Sequence, residues 1–143
     1  LVSSVLLKFG LAYAIKDMAE KYSNSQLDIE YETKNIKRYD QDFEIKLHNI
    51  IQELVNNTIK HSEASIASIY LEDKDDKIKI YIKDNGKGFD KQLVKKKNGL
   101  GINQIDARVH MMKGEFNIDS ENNFGTSITI EIPVFKRETL SFS

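Results

Sequence analysis

Glu53, Asn57 and Lys60 stand at i, i+4 and i+7, the spacing that lines one face of a helix. These types can divide the labour at a phosphate. An amide oxygen is a hard ligand suited to Mg²⁺, which keeps waters and phosphate oxygens as its other ligands. A lysine meets phosphate charge as a point cation, and a carboxylate can accept a proton from a nucleophile. A solvated helix face explains the same trio without any chemistry. Two further polar residues stand where apolar ones are expected. Ile78, Ile80 and Ile82 alternate with polar residues, so by period two Asp84 shares their core-facing parity, and Thr126 likewise shares that of Ile128, Ile130 and Ile132. A carboxylate at the end of a buried row is costly unless hydrogen-bond donors meet it. Fraying strand ends, or a bulge that flips the register, would be the structural explanation of either residue alone.

Four of the seven glycines (Gly86, Gly88, Gly99 and Gly101) fall in one short stretch. A loop needing positive φ accounts for them as readily as a ligand cradle does. The stretch is not the dinucleotide fingerprint, and it lacks the G-K-[ST] of a P-loop.

The elements that must position these residues follow from periodicity. Leu11, Ile15, Met18 and Tyr22 make residues 11–22 an amphipathic helix ended by Ser23-Asn24-Ser25, while residues before Gly10 are ambiguous. Leu27, Ile29 and Tyr31 alternate with acidic residues, as in a short strand. A helix from Asp42 to about His61 carries Leu47, Ile50, Ile51, Leu54 and Thr58 on one stripe. Strands over 65–72 and 77–83 flank an acidic turn, Asp73 to Asp76. A helix over about 101–113 ends at Gly114, and strands over 115–119 and 127–132 follow, with Pro133 ending the last. The fold class expected is α+β: a two-layer α/β sandwich with a mixed, mostly antiparallel sheet and helices on one face.

The chain's 143 residues suit one domain, with no internal linker and no repeat. Its 21 basic and 22 acidic residues balance, so no basic field argues for nucleic acid. The 40% apolar content is too high for disorder, no apolar run reaches membrane-spanning length, and the start lacks the basic region of a signal peptide. The absence of cysteine removes disulfides, thiolate metal sites and a cysteine nucleophile. The first residue is Leu1, which suggests a piece of a longer protein.

Four motifs in order carry a resemblance: QELVNNTIKH (Gln52 to His61), DNGKGF (Asp84 to Phe89), GLGI (Gly99 to Ile102) and Gly125-Thr126. They resemble the N, G1, G2 and final Gly-Thr boxes of the GHKL superfamily, and within it the catalytic ATP-binding (Bergerat) domain of bacterial two-component sensor histidine kinases. The closest class is the short-lid one paired with LuxR-type response regulators. FGLAYAIKDMAEKY near the start and GLGINQIDARVHMMKGEFNIDS in the second half are similar to that class too.

The resemblance implies ATP and Mg²⁺ as cofactors. Asp84 would accept a hydrogen bond from the adenine amino group, supported by Thr126. Asn57 would hold the metal, with Lys60 and His61 matching further box positions. Gly86 and Gly88 would let backbone approach the nucleotide, and Gly99, Leu100 and Gly101 would lie near the phosphates. Glu53 would be the catalytic residue, polarising the attacking group. Lys87 to Asn98 would form a short lysine-rich lid, which also reads as an ordinary solvated loop. His48, His61 and His110 each lack the acidic neighbour of a phosphoacceptor, so the acceptor is expected upstream. Residues 1–10 would then be a linker remnant from a dimerisation domain of the same homodimeric parent, and 11–143 the catalytic domain. The implied partners are that domain and a response regulator, with no nucleic acid or direct membrane contact, and the domain is expected in the cytoplasm whether or not its parent is membrane-anchored. Rival readings are an anti-sigma-type serine kinase of the same fold, a nucleotide-gated module without catalysis, and a hydrolytic ATPase.

Overall fold

The computed structural model describes residues 2–88, 101–121 and 123–134. Helices α1 (Ser4–Phe9) and α2 (Leu11–Tyr22) lead into β1 (Asp28–Lys34) and the long α3 (Gln41–His61). The hairpin β2 (Ile66–Lys74) and β3 (Lys77–Asp84) follows, then α4 (Ile102–Met111), β4 (Glu115–Ser120) and β5 (Thr126–Pro133). The five strands form one sheet in the order β1-β2-β3-β5-β4, antiparallel throughout except for the β1–β2 pair. This is the mixed, mostly antiparallel sheet that alternation predicts.

Alternation also builds the core. Ile78, Ile80 and Ile82 of β3 stand opposite Ile132, Ile130 and Ile128 of β5, and all six are buried. Helix α3 lays Leu47, Ile50, Ile51, Leu54 and Thr58 into the interior, as its stripe predicts, and adds Phe43, Glu44 and Val55. Helices α2 and α4 bury Leu11, Ala14, Ile15 and Met18, and Ile102, Ile105 and Val109. The ambiguous start resolves into α1. Ser3 caps it by accepting from the Leu6 N–H at 3.2 Å, and Leu6 is 1% exposed in the common core.

Two local expectations are corrected. The β2–β3 turn is the two-residue Asp75-Asp76, both with positive φ (54° and 60°), the geometry that matches strand twist in a tight hairpin. At the end of α4 the left-handed residue is Lys113 (φ 61°), not Gly114. The Gly114 N–H reaches back to the Val109 carbonyl at 2.9 Å, closing the last turn. Gly114 lies too near the Glu131 carbonyl, at 2.6 Å from a would-be Cβ, for any side chain.

An ion pair between a buried carboxylate and a half-exposed guanidinium ties the start of the chain to α3. Glu44 is 1% exposed, and both its carboxylate oxygens accept from Arg38, at 3.2 Å each. Arg38 also donates to the Leu7 and Lys8 carbonyls at 3.2 and 3.1 Å, satisfying orphan groups at the C-terminal end of α1. One guanidinium thereby holds α1 and α3 together. No helix among the described residues is long and apolar enough to cross a membrane.

Candidate active site

The cleft forms where the C-terminal end of α3 meets the last rung of the β3–β5 ladder. Asp84 pairs with Thr126 in that rung, and Thr126 pairs with Ser120 in the next strand, so three polar residues end three adjacent strands. All three are buried, at 5%, 8% and 7% exposure. Register is continuous to this point, so the parity argument for Asp84 and Thr126 holds.

Asp84 is the chemically telling member. Its Oδ1 accepts the Gly86 N–H at 2.8 Å, and the Thr126 backbone N–H also donates to it. Burial nevertheless raises its pKa above the ordinary carboxylate value, since these two donors only partly offset desolvation. A further donor arriving from the cleft would complete the set. The Thr126 hydroxyl is held 2.9 Å from the Ser120 hydroxyl, which also donates to the Gly125 carbonyl at 3.2 Å. Ser120 escaped the sequence reading, although it shares the parity of Ile118 and so carried the same signal as Thr126.

A chain of backbone contacts locks α3 against the glycine-rich turn after β3. Ser62 caps α3, its hydroxyl donating to the Thr58 carbonyl at 2.6 Å and accepting the Ala64 N–H at 3.0 Å. Its own carbonyl accepts the Lys87 N–H at 2.7 Å. Gly86 therefore has no room for a side chain, because an added Cβ would stand 2.2 Å from that carbonyl. Gly125, at φ 80°, is constrained in the same way by the Asp84 carbonyl. Both close approaches are to the protein's own backbone. Asn85 fastens the opposite side: its Oδ1 accepts the Ser65 and Ile66 N–H groups at 2.9 and 3.0 Å, holding the start of β2 to the end of β3.

The resulting small, open cleft has apolar walls from Leu54, Ile102, Ile118 and Ile128, with Asp84 and Thr126 at one end. Asn57, His61 and Gly88 line it as well, so five of the residues singled out in the sequence share one cavity. Gly86 adjoins it through its bond to Asp84. Gly101 caps the N-terminal end of α4 in the left-handed conformation, one residue before Ile102. Two of the expected residues lie elsewhere. Lys60 is exposed and outside the cleft lining, and Glu53, one helical turn before Asn57, accepts a hydrogen bond from Arg108 of α4 at 3.0 Å. Gly99 and Leu100, with most of the expected lid, lie outside the described residues. Of the histidines, His48 is half-buried on α3 with its pKa lowered by burial, and exposed His110 contacts Asp106 on its own helix.

An apolar cleft with a buried acceptor at its end, beside a helix bearing an amide and an imidazole, thus lies at the end of the sheet of an α+β sandwich. The chain belongs to the histidine kinase-, DNA gyrase B- and HSP90-like ATPase family, whose model matches residues 42–136. It is the ATP-binding type of domain found in sensor histidine kinases. It is 40% identical over 102 residues to the signal transduction histidine-protein kinase/phosphatase DegS of Brevibacillus brevis, covering 71% of this chain and 26% of that protein. It is 29% identical over 133 residues to the oxygen sensor histidine kinase NreB of Staphylococcus carnosus, covering 92% of this chain and 38% of the relative. The chain thus spans well under half the length of these relatives. In fold it is similar to the blue-light activated histidine kinase of Erythrobacter litoralis, with a TM-score of 0.74 at 15% identity, over 92% of this chain and 42% of that one. The Acinetobacter baumannii histidine kinase AdeS matches with a TM-score of 0.66 at 17% identity, over 93% and 74% of the two chains.

Proposed function

We propose that this chain binds Mg-ATP and transfers its γ-phosphoryl group to a histidine on a separate helical dimerisation domain of the same homodimeric parent, for onward passage to a response regulator. The observation that carries the reading is Asp84, a buried carboxylate at the end of an apolar cleft whose two backbone donors only partly offset its desolvation. An adenine ring would lie against those walls, and its exocyclic amino group would give Asp84 a further donor. Thr126, held by Ser120, would support the same edge through its hydroxyl and a water.

The triphosphate would then run toward α3. Asn57 would supply one hard oxygen. That suits Mg²⁺, which takes few protein ligands and fills its shell with phosphate oxygens and water. When bound, the ion would neutralise phosphate charge and fix its orientation. His61, at the end of the same helix and in the cleft lining, would face the phosphates, with the backbone of Gly86, Gly88 and Gly101 nearby. In the transfer an imidazole nitrogen attacks the γ-phosphorus. The N–P bond forms as the bond to the bridging oxygen breaks, and ADP leaves. Glu53 would orient the imidazole through its N–H or accept that proton. Positioning and charge stabilisation supply most of the acceleration.

Residues 1–10 are proposed to be a linker remnant from an upstream dimerisation domain, with 11–143 as the catalytic unit. The stretch nearest the domain docks through Leu6 and the Arg38 clamp. The test uses radiolabelled ATP with the acceptor domain supplied in trans. Acid-labile label should appear on that domain and not on this chain alone. Stable acid-labile phosphate on the isolated chain would overturn the assignment of the acceptor, and acid-stable label on a serine substrate would favour the serine kinase. Glu53→Gln should spare ATP binding and slow transfer. Loss of ATP binding in that variant would refute a catalytic role for Glu53.

A further inference from the structure

We infer that Arg108 is the positioning residue for Glu53, holding its carboxylate in the orientation in which it meets the incoming imidazole. The inference rests on the catalytic reading of Glu53 above. Arg108 Nη1 stands 3.0 Å from Glu53 Oε1, joining α4 to α3. Both side chains are about half exposed, at 47% and 43%, and an ion pair so open to water adds little to stability. The fold has other means of holding α4, through the burial of Ile102, Ile105 and Val109. The pair therefore looks superfluous as a structural bond, and its effect is on conformation. A glutamate on an open helix face samples several rotamers, and a guanidinium at one oxygen selects among them. Oε2 keeps no hydrogen-bond partner among the described residues and is the oxygen left for a substrate N–H.

The surroundings suit that role. Glu53 and Arg108 border an open groove with Lys46, Asn49, Met111 and Met112, outside the nucleotide cleft. A group arriving from a separate domain would reach Glu53 through this groove without displacing the nucleotide. One helix spans the two regions: Ile102 in the first turn of α4 walls the cleft, and Arg108 in its last turns holds Glu53. Cleft wall and proton acceptor are thereby fixed to one rigid element.

The experiment measures phosphoryl transfer at saturating ATP to the acceptor domain supplied in trans, for Arg108→Ala, Arg108→Lys, Glu53→Gln and the double variant R108A/E53Q. Arg108→Ala should slow kcat about 10- to 100-fold, as loss of a supporting contact does. KM for the acceptor domain, ATP affinity and melting temperature should stay unchanged. Arg108→Lys should recover part of the rate, and the double variant should be no slower than Glu53→Gln alone. An unchanged rate in Arg108→Ala overturns the inference. So does an additive loss in the double variant, or a raised KM with kcat intact, since Arg108 would then act on the partner directly. If Arg108→Ala lowers the melting temperature, Arg108→Gln, which keeps the stem, replaces it. A Glu53→Gln variant that transfers at full rate removes the underlying reading of Glu53 and the inference with it. That result is distinguishable, because it appears without any change at Arg108.

Discussion

Replacing Asp84 by asparagine should move stability and ligand affinity independently. Asp84 is 5% exposed, and its pKa lies above the ordinary carboxylate value because burial outweighs its two backbone donors. In its ionised form it costs the ligand-free protein some stability. The amide has the same shape and carries no charge to desolvate, and its oxygen can still accept the Gly86 N–H that now sits 2.8 Å from Oδ1. The melting temperature without nucleotide should therefore hold or rise. Binding suffers instead, because an amide NH₂ faces the adenine amino group where a carboxylate oxygen would accept from it. A hydrogen bond to a charged group contributes about 1.5–3 kcal/mol, so ATP affinity should fall roughly 10- to 150-fold. Calorimetric titration with a non-hydrolysable ATP analogue, alongside thermal melts with and without it, reads both quantities. An asparagine variant that melts several degrees lower yet binds the analogue normally would refute the reasoning, since Asp84 would then be a structural anchor and not the ligand's acceptor.

The same residue sets a pH dependence. With a raised native pKa, the contribution of Asp84 to the unliganded fold is present below the ordinary carboxylate range and is lost as pH rises through the native value. A ligand donor favours the ionised form, so the nucleotide-induced rise in melting temperature should grow over that same interval and flatten in Asp84→Asn. Gly86→Ala places a Cβ 2.2 Å from the Ser62 carbonyl, so it should destabilise by about 1–3 kcal/mol and weaken ATP binding in denaturant and titration assays. Arg38→Ala leaves the Glu44 carboxylate, 2% exposed in the ion pair, without its cation, at a cost of about 3 kcal/mol. That corresponds to roughly 10 °C in melting temperature for a domain of this size, with ATP affinity in the surviving folded fraction unchanged. His48, whose pKa burial lowers, favours the neutral form. Its contribution should be present above pH 6.5 and lost on acidification, and a His48→Gln melt should show a shallower acid limb.

Sheet and cleft were legible where a residue's own position in a period decides its direction. Asp84 and Thr126 follow from counting by two along isoleucine rows, and the stripe of α3 from counting by 3.6. Legibility ended where a partner arrives from a distant part of the chain. Nothing in the 53–57–60 spacing says that Glu53 meets Arg108 while Asn57 meets the cleft, because periodicity gives an azimuth and not a neighbour. The bonds from Arg38 to the Leu7 and Lys8 carbonyls were hidden for the same reason. So was the parallel pairing of β1, since a half-buried strand alternates alike in either direction. Ser62 and Asn85 look like ordinary cap and turn residues, and only the crowding at Gly86 shows what they hold in place. At Lys113 the chain bent before the glycine because Gly114 is reserved for a contact with β5.

The rung joining Asp84 to Thr126 is the outermost of its ladder, and its two strands, Lys77–Asp84 and Thr126–Pro133, are far apart in sequence. Terminal rungs fray first, and this one closes only after a long intervening segment has been looped out. A base held across it would act as a staple on the open end of the sheet. Amide protons of residues 84–86 and 125–127 should then exchange with solvent rapidly in the free protein and slow markedly with nucleotide, while those of the isoleucine rungs behind them barely change. Occupancy would thus be reported by the sheet as well as by the helices around the cleft, and the domain would stiffen from its rim inward.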